Sequence, residues 1–108
     1  MTDVDPLLKY REQHKHRLNY MPWLYWSLKP KNRSWAEAWQ KDYQAYLMEM
    51  ETIEIGENCF ISPLAHIFAE PGRKIIIGDN TFIAADCTLH GPLDIGNEVA
   101  INHHCILD

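Results

Sequence analysis

Basic residues are scarce in the second half of this 108-residue chain, and no long apolar run occurs anywhere. Residues 51–108 hold two Lys/Arg against nine Asp/Glu, a net of −7; residues 1–50 hold eight against six, a net of +2; together they give the formal −5. The acidic half lacks the cation density that neutralises a phosphate backbone, which argues against a nucleic-acid partner. The longest apolar stretch, Met21–Trp26, is far too short to cross a bilayer. Asp3 and Asp5 stand where a secretory leader would carry positive charge, and no apolar segment follows them, so export is not expected. Cysteine is rare: three residues, an odd count without a leader, point to a reducing, cytoplasmic setting with free thiols. Phosphate-loop, dinucleotide-binding and serine-nucleophile motifs are missing as well. A chain of this length is expected to form one domain.

What is present is a period of six. IGEN (55–58), IGDN (77–80) and IGNE (95–98) each open a block, with Ile61, Ile83 and Ile101 six residues later and Ile67, Leu89 and Leu107 six further on. Small or modest residues stand four after the first and second members: Cys59, Ala65, Thr81, Cys87, Val99 and Cys105. Ile53, Ile75 and Leu93 precede each IG pair by two. Ile77 to Ile95 is eighteen residues, three sixes; Ile55 to Ile77 is twenty-two, so one turn carries four extra residues. Those fall between Ile67 and Ile75, in a protruding loop at 69–74 that contains Pro and Gly. A hexad repeat predicts a β-helix in which three sixes close a triangular coil. Stacked coils place like residues in ladders, and stability comes from neighbouring coils. Gly56, Gly78 and Gly96 suit corners that need backbone freedom, and Asn58 and Asn80 tolerate the left-handed region. The cysteines fall on inward positions, with Cys87 and Cys105 one coil apart at a spacing wider than a disulfide allows. All three are expected to be buried, unreactive thiols.

This [LIV]-[GAED]-x-x-[STAV]-x pattern, over residues 53–108, resembles the hexapeptide-repeat acyltransferases, notably the sugar and xenobiotic O-acetyltransferases. The resemblance implies a left-handed parallel β-helix, a homotrimer, and acetyl-CoA as acyl donor along the groove between neighbouring β-helices. It implies a histidine general base acting on a hydroxyl of a small-molecule acceptor such as a sugar. The sequence stops at Asp108, about two and a half coils into the β-helix. The family's extended segment with its base histidine has no counterpart here, and a truncated or inactive form is expected.

Residues 1–51 carry no hexads and read as an α-helical, aromatic-rich cap on the β-helix of residues 52–108. Asp5-Pro6 looks like an N-cap and first helical residue, followed by Leu7, Tyr10, His14 and Leu18 at helical spacing. Asn19 to Arg33 is broken by Pro22 and Pro30. Ser34 and Glu37 form a capping box, opening a helix whose apolar stripe is Trp35, Ala38, Trp39, Tyr43, Tyr46, Leu47 and Met50. The aromatic segment is expected to cap or flank the β-helix. Two other uses fit it: part of an acceptor pocket stacking on sugar rings, or interfacial membrane contact beside Lys29, Lys31 and Arg33. No membrane partner is expected.

His104 lies one coil beyond Asp86 in register, so Asp86 could orient and charge-stabilise a His104 general base; His103 beside it completes the catalytic candidates. An exposed corner pair that stabilises little is the plainer reading. His14 and His16, in a basic helix, read as solvated. Arg73 and Lys74 are the cationic candidates for docking acetyl-CoA. One alternative resembles the γ-class carbonic anhydrases, with zinc on His90, His103 and His104. Zinc needs tetrahedral convergence, and these three do not match that family's His-x4-His spacing, so no metal is expected. A non-enzymatic β-helical binding or scaffold module is the remaining alternative.

Overall fold

The computed structural model describes residues 6–107. Two helices, α1 (Pro6–Tyr20) and α2 (Pro30–Met50), are joined through a short 3₁₀ helix at Pro22–Ser27. Nine strands follow: β1 (Ile53–Ile55), β2 (Phe60–Ile61), β3 (His66–Phe68), β4 (Ile75–Ile77), β5 (Phe82–Ile83), β6 (Thr88–His90), β7 (Leu93–Ile95), β8 (Ala100–Ile101) and β9 (Ile106–Leu107). They form three parallel sheets, β1-β4-β7, β2-β5-β8 and β3-β6-β9. The chain visits the sheets in rotation, an arrangement compatible with a parallel β-helix of three stacked circuits.

The register is the one the hexads predict. Ile55 pairs with Ile77 and Ile77 with Ile95; Ile61 with Ile83 and Ile83 with Ile101; Ile67 with Leu89 and Leu89 with Leu107. These ladders converge on one core with Ile53, Ile75, Cys59 and Cys87. Ile61, Ile75, Ile83 and Leu89 are completely buried, each stabilising the fold by roughly 1.5–3 kcal/mol. Residues 69–74 form the expected loop, turned by a hydrogen bond from Arg73 N–H to Glu70 C=O (2.8 Å) with Gly72 at φ 85°.

The corner motif works differently from the expectation of glycine flexibility. Positive φ falls on Asn58 (57°), Asn80 (55°) and Glu98 (57°), two residues after each glycine. Gly56 and Gly78 are instead required by close approach. Asp79 Oδ1 accepts from Glu57 N–H (2.7 Å) and Asn97 Oδ1 from Asp79 N–H (2.7 Å). A Cβ on Gly56 would collide with Asp79 Oδ1, and one on Gly78 with Asn97 Oδ1. The third residue of each later I-G-x-x motif thus caps the circuit beneath it.

Helix α2 closes the end of the first circuit, packing Leu47 and Tyr43 onto the interior ladders. Gln40, 2% exposed, replaces a missing strand. Its Nε2 donates to Ile61 C=O (3.1 Å) while its Oε1 accepts from Ile61 N–H (2.8 Å), and Gln44 Nε2 donates to Cys59 C=O (2.9 Å). The helix does not start at the Ser34/Glu37 capping box. Pro30, pre-set for the first turn, starts it after an extended Lys29 with no side-chain cap. The buried face is Asn32, Ala36, Gln40 and Leu47; Ala38, Tyr46 and Met50 from the expected stripe are exposed. On the flank, Leu18, Tyr25 and Ala36 cover the outward Phe60 and Phe82 of the β2-β5-β8 sheet. Asp5, the expected N-cap, lies outside the described residues.

Candidate functional site

The corner after the β2-β5-β8 sheet carries the sequence candidates. Asp86 and His104 occupy equivalent steps of adjacent circuits, both at positive φ (60° and 64°), so both side chains leave a left-handed backbone that favours Asn or Gly. Both are exposed, and among the described residues no ion pair joins them. The His103 ring lies 5.1 Å from that of His104 and 6.4 Å from Tyr20 at the end of α1. Asn19 secures the same corner: its side-chain oxygen accepts from Ser62 Oγ (2.9 Å) and its backbone carbonyl from Ala85 N–H (2.7 Å). The arrangement presents two solvent-accessible imidazoles above one carboxylate.

Both cationic candidates are exposed, and each makes one contact among the described residues. Lys74 Nζ lies 2.8 Å from Glu54 Oε2, and Arg73 Nη1 donates to Gly91 C=O at 3.4 Å. The outward positions of that sheet also include Asp94. One contact each leaves both residues with further N–H donors. His90 Nε2, at the end of β6, sits 3.7 Å from Glu70 Oε1, whereas His103 and His104 lie in the turn between β8 and β9. Among the described residues no group of three or more His, Cys, Asp or Glu could hold a metal ion. Nor is any described helix long and apolar enough to cross a membrane.

The thiols and two tyrosines shift for one reason. Burial, opposed in part by backbone hydrogen bonds, raises the pKa of Cys59 and Cys87; burial followed by Glu37 raises Tyr25, and burial followed by Tyr46 raises Tyr43. Cys59 Sγ donates to Gly78 C=O (3.0 Å) and Cys87 Sγ to Asn102 C=O (2.8 Å). Cys105, expected to be buried, is only half so. His14, expected to be solvated, is half-buried with its ring 4.4 Å from Tyr10.

A cleft of about 400 Å³ was not anticipated from sequence. Trp26 and Phe82 form its aromatic corner, with Arg33, Asn58, Asn80 and Glu98 around it. Trp26 Nε1 donates to Asn58 C=O (3.0 Å), Arg33 Nη2 donates to Trp26 C=O (2.6 Å), and Asn58 Nδ2 donates to Asn80 Oδ1 (2.8 Å). Hexad arithmetic does place Asn58, Asn80 and Glu98 on one ladder, but the pairing with Arg33 depends on how α2 docks.

Comparison with protein-family models, curated proteins and solved structures finds no match.

Proposed function

We propose that the chain is a left-handed parallel β-helix of the hexapeptide-repeat type and an O-acyltransferase acting on a hydroxyl of a small, sugar-like acceptor. One observation carries this reading: aliphatic residues six apart stack in register on three sheets that the chain visits in rotation. In this reading His104 takes the acceptor's hydroxyl proton, and Asp86, one circuit below, favours the resulting imidazolium. His103 holds the neighbouring ring position. In the same reading Arg73 and Lys74 supply cationic N–H donors for acetyl-CoA, bound beside a homotrimer partner. Retention in the cytoplasm belongs to the same reading.

Release of free thiol from acetyl-CoA, followed with a panel of sugar acceptors, tests it. Acceptor-dependent release is expected, and none with any acceptor removes the activity. His104→Ala is expected to lower turnover about 10²–10⁴-fold, the range for loss of a general base. Turnover unchanged by that substitution would leave the activity without His104 as its base.

A further inference from the structure

We infer that the Trp26–Phe82 cleft is a binding site for a monoanionic sugar acid of single-ring size. It lies at the corner carrying Asn58, Asn80 and Glu98, across the β2-β5-β8 sheet from the Asp86–His104 corner, and so stands apart from the acyltransferase reading. Its volume of about 400 Å³ is at the small end of ligand pockets, which favours one sugar ring over a ligand of nucleotide size. The half-buried Trp26 indole supplies an apolar wall for the C–H face of a ring, backed by the buried Phe82 ring, which packs against it with centroids 5.3 Å apart and planes tilted by 52°. The bond to Asn58 C=O fixes the indole orientation.

The polar groups have unspent capacity of both kinds. Asn80 accepts from Asn58 through Oδ1, which leaves its two Nδ2 protons without an acceptor among the described residues. Glu98 is exposed and joins no ion pair among the described residues, so its carboxylate can accept from hydroxyls. Arg33 spends an Nη2 proton on Trp26 C=O and keeps its other donors, in the fork geometry that matches a carboxylate. A neutral sugar would give Arg33 no charged acceptor for its fork. A phosphate dianion would meet the Glu98 charge. A sugar carboxylate on Arg33, with ring hydroxyls on Glu98 and Asn80, uses every group.

The test titrates the full chain with glucuronate, glucose and glucose 6-phosphate, by calorimetry and by tryptophan fluorescence. Saturable glucuronate binding is expected with Kd on the order of 1 mM, and glucose binds at least about tenfold more weakly for want of the charge-assisted bond. Arg33→Gln should reduce glucuronate to the level of glucose and leave glucose unchanged, while Glu98→Gln should weaken both. Lack of saturation with glucuronate up to about 10 mM, or parent-like binding by both variants, overturns the site. Glucose 6-phosphate binding tighter than glucuronate overturns the assignment to a monoanion. Thioester release bears on none of these results, so the two proposals fail separately.

Discussion

Gln40 lies on the helix face turned to the first circuit, and its amide closes two backbone bonds at Ile61. Replacing it with Leu keeps the volume but strands a buried N–H and C=O, a loss of about 3 kcal/mol. Urea unfolding monitored by circular dichroism measures it, and an unshifted midpoint would mean that water satisfies Ile61. A second contrast isolates close approach at the corners. Gly78→Ala places a Cβ 2.7 Å from the Gly96 carbonyl carbon, whereas a Cβ on Gly96 meets nothing within 4 Å. The first substitution is expected to cost about 2 kcal/mol or more and the second to stay within about 0.5 kcal/mol. Equal costs would return the explanation to backbone freedom. The sequence displayed these glycines but not their reason, since the colliding atoms belong to the next circuit.

At the scale of elements, helix α2 acts through Leu47, buried at the end of the prism interior, while Met50 three residues later is exposed. Leu47→Ala is expected to cost about 2–5 kcal/mol and Met50→Ala to stay within about 0.5 kcal/mol, compared by the same urea midpoints. The strands were legible in the amino acids because a period of six repeats the same inward positions and fixes the register: Ile61, Ile83 and Ile101 can share a face in few other ways. The helix start was not, because Pro30 reads equally as a breaker and as a first-turn residue. Nor was its buried face, because Gln40 and Asn32 look like solvent-facing residues until a strand edge is placed beside them. The Asp86–His104 step followed from the same arithmetic, while the cleft needed the docking of Arg33 and Trp26, which no periodicity encodes.

For the molecule as a whole, burial raises the pKa of four acidic groups among the described residues: Cys59, Cys87, Tyr25 and Tyr43. Each has a folded pKa above its unfolded one, so the folded state binds more protons between the two values. Their contribution is therefore full below the unfolded thiol value of about 8.5, and declines as pH rises past it and past the tyrosine value of about 10. The melting temperature should accordingly fall between about pH 8.5 and 10.5, and Cys87→Ala should flatten the first part of that fall. A melting temperature constant over the range would contradict the burial of these groups. Thiol titration at neutral pH gives a companion result: Cys105 is expected to label first, and Cys59 and Cys87 only as the chain unfolds.

Parallel circuits are open-ended templates, and a bare first edge would accept the last circuit of another molecule, seeding fibres. The Gln40 carboxamide, from the chain's own helix, occupies the Ile61 hydrogen-bonding groups that such a junction would use, so the first edge of the β2-β5-β8 sheet is closed inside each molecule rather than by a second one.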